Sequence, residues 1–138
     1  MQDMYIIAEH ENINIRWWNF DPPVLGVYWA PEGKCPVIGL DKCLEHNTKL
    51  LRTVFAEELG HHFTAADNCI NNVCLNYRGR LRVSRCEYWA LKWAAYYLMP
   101  EEELGIALRT GYIENWDLSD YFNVTEELAR FRLGLLSA

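Results

Sequence analysis

Between residues 13 and 40 the apolar, β-branched and aromatic positions fall in short runs broken by turn formers: INIRWWNF, DPP, VLGVYWA, PEGK and CPVIGL. Such runs predict three short strands of a meander. From Asn47 the period changes. In NTKLLRTVFAEELGHHFT the apolar Leu51, Val54, Phe55 and Leu59 recur at spacings of three and four, with Lys49, Arg52 and Thr53 on the other side, which predicts an amphipathic helix. Residues 65 to 82, AADNCINNVCLNYRGRLR, carry four Asn, an Asp and a Gly without helical periodicity. They predict a long connection, with room for a short hairpin, of the kind that often borders a binding cleft. A second helix is expected in SRCEYWALKWAAYYLM, where Leu91, Ala94, Ala95 and Leu98 form a stripe. Pro100 closes it, because proline disfavours helical geometry in the residue before it.

The same Pro100 suits the start of a third helix, whose dipole Glu101, Glu102 and Glu103 complement and which Gly111 is placed to end. Shorter helices are predicted in DLSDYF and in TEELARFRLGLL, the latter with Thr125 as N-cap. Strands first and helices after predict an α+β domain. Its parts are a small antiparallel or mixed N-terminal sheet over about residues 5–40, two long helices within about 47–99 and a helical tail over about 100–138, in one domain spanning 1–138.

Length agrees with that organisation, since 138 residues suffice for one ordinary core and are too few for two domains of typical size. A hydrophobic share of 51% places the chain among globular proteins rather than disordered ones. The net charge of −6 lacks the global positive field that non-specific nucleic-acid binding draws on, so nucleic acid is not an expected partner. No apolar run approaches the roughly 20 residues a membrane helix needs, and MQDMYIIAEHEN has neither a basic region nor a small-residue cleavage site. A cytoplasmic protein without a membrane partner is expected. The five cysteines, Cys35, Cys43, Cys69, Cys74 and Cys86, form no Cys-x-x-Cys pair and are expected reduced, mostly as core thiols.

Candidate chemistry lies on the two long helices. Glu57 and His61 stand four apart, so their side chains project from one face about one turn apart and can reach a single ion; Glu58 lies beside them. Glu57-Glu58-Leu59-Gly60-His61 is the zinc-peptidase pattern His-Glu-x-x-His with its first histidine replaced by glutamate. By itself the pattern also suits a solvated acidic turn. Glu87 is in register with Leu91, Ala94 and Leu98, which aims its carboxylate inward from the head of a buried stripe, where an ion held by Glu57 and His61 would partner it. Ser84-Arg85-Cys86-Glu87 equally fits a capping box, with Glu87 covering a backbone N–H, and Arg82 or Arg85 could pair with it.

LLRTVFAEELGHHFT, followed by the polar loop and SRCEYWALKWAAYYLMP, resembles the ImmA/IrrE family of metallopeptidases of phages and mobile elements, and especially a subgroup whose helix reads Ala-Glu-Glu-Leu-Gly-His. The second helix of that subgroup has a glutamate, a Trp-Ala pair and a Leu-x-Pro ending, matched here by Glu87, Trp93-Ala94 and Leu98-Met99-Pro100, and DLSDYFNVTEEL resembles the family's tail. The resemblance implies a minimal zincin-like core with His61, Glu87 and Glu57 as metal ligands and Glu58 as general base. It implies a zinc-dependent endopeptidase whose substrate is a helix-turn-helix repressor; the alternative is a non-catalytic antirepressor that keeps the fold and holds the repressor. Two carboxylates and a neutral imidazole cancel the charge of a divalent ion, where two imidazoles and one carboxylate leave it positive. Zinc in such a site would acidify its water less, and manganese or iron would be better tolerated.

His62 is expected in the core or at a cleft edge, where the family commonly has an aromatic. Tyr77, Arg78, Arg80 and Arg82 suit a solvated basic loop or a contact to a substrate chain, and Trp89 and Trp93 suit core or cleft-wall positions. His10 and His46 have no neighbour at ligand spacing. DLSDYFNVTEELARFRL echoes a helix-turn-helix spacing, yet its exposed positions are mainly acidic, so packing or protein recognition is expected there rather than DNA reading.

Overall fold

The computed structural model describes residues 1–64, the backbone of 73–77, and residues 84–137. Helix α1 (Gln2–His10) opens the chain, followed by strands β1 (Asn14–Trp18), β2 (Val24–Trp29) and β3 (Val37–Asp41). A 3₁₀ turn at Lys42–His46 leads into α2 (Thr48–Thr64). Strand β4 (Val73–Tyr77) precedes α3 (Arg85–Leu98), α4 (Glu101–Arg109), α5 (Asn115–Phe122) and α6 (Glu126–Gly134). The architecture is α+β, as the succession of patterns predicts.

Two elements depart from the sequence reading. Residues 2–10 form a helix ahead of the sheet, with Met4 and Ala8 buried one turn apart and Tyr5 edge-on to Phe55 at 5.1 Å. The connection after α2 contributes a fourth strand, so the sheet gains an edge from residues read as loop.

The three predicted strands exist, but they do not make a meander. Their order is β1-β3-β2-β4, with β1 parallel to β3 and both neighbours of β2 antiparallel to it. Strand β2 gives one edge to β3 and the other to β4, and β1 pairs with the far edge of β3. There Ile15 and Trp17 align with Ile38 and Leu40, and the half-buried face of β1 joins the face that β3 buries completely.

The inner face of the sheet carries α2. Gly26 of β2 lies against it so closely that an added Cβ would fall 2.8 Å from Val54 Cγ1 and 3.1 Å from Glu58 Oε1. At the other end of the helix Gly60 meets α3: its Cβ would come 2.3 Å from the carbonyl oxygen of Ala90. These two glycines set strand, helix and helix in contact where side chains would hold them apart. Asp41 closes β3 by accepting hydrogen bonds from Phe20 N at 2.8 Å and from Cys43 N at 2.9 Å, the second capping the 3₁₀ turn. One apolar cluster joins α1, β2, β3 and α2 to α3 and the C-terminal helices through Leu91, Leu104, Leu118, Val124 and Leu128.

The cysteine expectation fails in two respects. Cys35 and Cys43 are exposed rather than in the core, and Cys86 is disulfide-bonded. Small, weakly polar thiols give no periodic signal of their own, so their count did not reveal their exposure. Cys69 and the side chain of Cys74 lie outside the described residues, as do the side chain of Tyr77 and Arg78, Arg80 and Arg82.

Candidate active site

Helix α2 is buried continuously from Thr53 to His61. Glu57, Glu58 and His61 are exposed by 1%, 0% and 1%, which excludes the reading of this segment as a solvated acidic turn. Adjacent carboxyls are buried only where cations, hydrogen-bond donors or protonation compensate their charge, which makes this stretch of helix the candidate site rather than a solubilising face.

Glu58 faces the sheet. Its carboxylate packs over Gly26, and the absent side chain of that glycine makes the room. Tyr28, two residues on and so on the same face of β2, lies against the next turn of the helix. Its ring is nearly parallel to the His61 imidazole, at 16° and 6.5 Å between centroids. Its hydroxyl is 2.9 Å from His62 Nδ1, while His62 Nε2 is 2.9 Å from Glu11 Oε1. His62 is thus half-buried and bonded on both nitrogens.

Glu87 is half-buried at the head of α3, with Leu91, Ala94 and Leu98 buried behind it as the stripe predicts. It completes the capping box: Ser84 N donates to Glu87 Oε1 at 3.1 Å and Glu87 N donates to Ser84 Oγ at 3.2 Å. The cap engages one carboxylate oxygen of two. Because Gly60 touches Ala90, one turn along from Glu87, the close approach of α2 and α3 brings the N-terminal turn of α3 alongside the helix that bears His61.

Two carboxylates and an imidazole are a donor set that suits zinc and also manganese or iron. Among the described residues, no three His, Cys, Asp or Glu side chains are gathered tightly enough to hold an ion. Beyond the candidate ligands, Trp89 and Trp93 line an open groove of about 420 Å³ with Thr64, Lys92, Tyr96 and Tyr97, which agrees with a cleft-wall role.

Tyr28, Gly26 and Glu11 escape a reading of the sequence. A glycine inside the apolar run VLGVYWA is a signal for close backbone approach, but what approaches it is a tertiary fact. Neither Tyr28 nor Glu11 belongs to a spaced motif.

A helix with buried glutamates and a buried histidine, packed on a small mixed sheet and against a second helix headed by Glu87, is the arrangement of a metallopeptidase-like domain. The profile of the peptidase family described as the IrrE N-terminal-like domain matches residues 9–134, and the chain belongs to that family, as its resemblance to ImmA/IrrE proteins implies. No curated protein gives a significant match to the chain. Among the described residues, no helix is long and apolar enough to cross a membrane.

Proposed function

We propose that this chain is a zinc-dependent endopeptidase of ImmA/IrrE type acting on a helix-turn-helix repressor of a phage or mobile element. Family membership over residues 9–134, with Glu58 and His61 buried together on one helix, carries the reading. In it Glu57, His61 and Glu87 hold the ion and Glu58 is the general base. When bound, zinc supplies a Lewis acid that polarises the scissile carbonyl and acidifies the attacking water. Glu58 takes the proton of that water and passes it to the leaving amine. Its burial against Gly26 keeps the carboxylate in one place and shields it from bulk water.

A second reading has its own support. Glu57 replaces the usual first histidine, Glu87 spends one oxygen on the cap, and no three ligating side chains are gathered among the described residues. These favour an antirepressor that retains the fold and binds the repressor without cutting it. Metal analysis of protein purified without chelator or histidine tag, paired with incubation against a helix-turn-helix repressor, separates the two. Zinc near one equivalent and cleavage lost in Glu58→Gln, with metal affinity unchanged, is the expected result. Stable binding of the repressor without cleavage would replace the enzyme by the antirepressor. Loss of metal in Glu58→Gln would exchange the roles of Glu57 and Glu58.

A further inference from the structure

His61 is flanked by a hydrogen-bonded chain that draws on three elements. Glu11, the residue that caps α1, bonds His62 Nε2 at 2.9 Å, and His62 Nδ1 bonds the Tyr28 hydroxyl of β2 at 2.9 Å. Nε2 is bonded to the carboxylate and Nδ1 to the hydroxyl, so the imidazole of His62 cannot turn over without losing both bonds. Tyr28, exposed by only 9%, then has its ring held in the plane it presents to His61, 6.5 Å away and tilted by 16°. That separation and tilt lie within the range in which offset rings attract. The strand that carries the tyrosine is also seated on α2 on the same face, since Gly26 lies against Val54 and Glu58.

We propose that Tyr28, His62 and Glu11 are positioning residues for His61. The chain holds the Tyr28 ring flat against the His61 imidazole and thereby fixes the plane in which His61 presents its nitrogens. A ligand whose ring is oriented in advance loses less freedom when an ion binds, and removing a partner that orients a ligand typically costs about ten- to a hundredfold in metal affinity. The metal arm of this inference rests on the reading of His61 as a ligand; the orientation of its ring does not.

The test uses the full chain labelled on histidine nitrogen, metal-free and then with zinc alone as probe. Four variants are compared with the parent: Tyr28→Phe, which keeps the ring and removes the hydroxyl; His62→Leu, which removes both hydrogen bonds; His62→Gln, which can both donate and accept; and His61→Ala. The expected result is a single sharp set of His61 ring signals in the parent and in His62→Gln, with exchange broadening in Tyr28→Phe and His62→Leu. Zinc affinity by chelator competition should fall about tenfold in the latter two and be largely rescued in His62→Gln. Unaltered His61 signals in Tyr28→Phe and His62→Leu, whether or not their thermal midpoints fall, would overturn the inference and leave the chain a purely structural tie. If His61→Ala binds zinc like the parent, the ligand reading fails, and the ring signals of the metal-free protein still decide whether His61 is positioned.

Discussion

At Glu57 a carboxylate occupies the place where the family resemblance expects an imidazole, and the change is one of charge more than of reach. In the proposed site Glu57→His removes one carboxylate from the ion and makes its water more acidic. The variant should bind zinc at least as tightly as the parent and move the acidic limb of the cleavage profile to lower pH, as rates measured across pH will show. An unshifted profile would remove Glu57 from the ligand set. Asp41 offers a titration that needs no metal. Burial pushes its carboxyl up, but the thiol and backbone N–H of Cys43 and the backbone N–H of Phe20 outweigh this and hold it below its ordinary 3.8. A carboxyl depressed in the folded state contributes stability that is present above its unfolded pKa and is lost as pH falls through the folded one. Asparagine caps a helical turn about as well as aspartate, so Asp41→Asn isolates the charge. The variant should be less stable than the parent at neutral pH, and the gap should begin to shrink only near the unfolded carboxyl value of about 3.9 and close as the pH falls through the lower folded one, in urea titrations at neutral pH and at a series of acidic pH values. Glu57 and Glu58 are legible one by one in the sequence, whereas Asp41 belongs to no motif there. That Glu57 and Glu58 are buried is not legible, because identical acidic spacings serve on solvated helices.

Among the elements, the contact between α2 and α3 does most to place the candidate site, and Gly60 is its narrowest point. An alanine in a helix interior is ordinarily favoured over glycine by about 1 kcal/mol. Here the added Cβ would lie 2.3 Å from the Ala90 carbonyl oxygen, a backbone atom that can yield only if the helices part. Gly60→Ala should therefore destabilise the protein by about 2–3 kcal/mol in urea unfolding. Gly105 in α4 is the control of opposite sign, since its Cβ would meet only the flexible end of Arg109 at 3.2 Å. Gly105→Ala should stabilise by about 0.5–1 kcal/mol. The long helices were readable because a period near 3.6 repeats over several turns. Helix α1 was not read, although Met1, Met4 and Ala8 carry the same spacing, because the segment is short and its exposed Tyr5 and Ile6 blur the stripe.

Across the whole molecule, the C-terminal helices belong to the fold that supports the site. Thr125 N donates to Thr53 Oγ1 at 3.1 Å, Arg52 Nε donates to Asn123 O at 3.0 Å, and Lys49 pairs with Asp120. Each tie runs from the first half of α2 to the α5–α6 pair, and Leu118, Val124 and Leu128 are buried with the rest of the core. This is the packing role expected from the acidic surface of the segment. Deletion of residues 115–138 should abolish cooperative unfolding followed by near-ultraviolet circular dichroism, because it uncovers that core. A truncated chain that still unfolds cooperatively would show α5 and α6 to be an appended module.

Local chemistry determined by the sequence alone includes the run of strands, the two long helices, the capping residues Ser84 and Thr125, and the spacing that puts Glu57 and His61 on one helical face. Each follows from covalent neighbours and backbone periods, which a linear chain carries in full. Tertiary structure alone decided which strand edges meet, that Gly26 and Gly60 are points of contact, and that Tyr28, His62 and Glu11 join beside His61 from three separate elements. Pairings of that kind depend on which surfaces remain to be buried once every other element has found its place, and no local period encodes them.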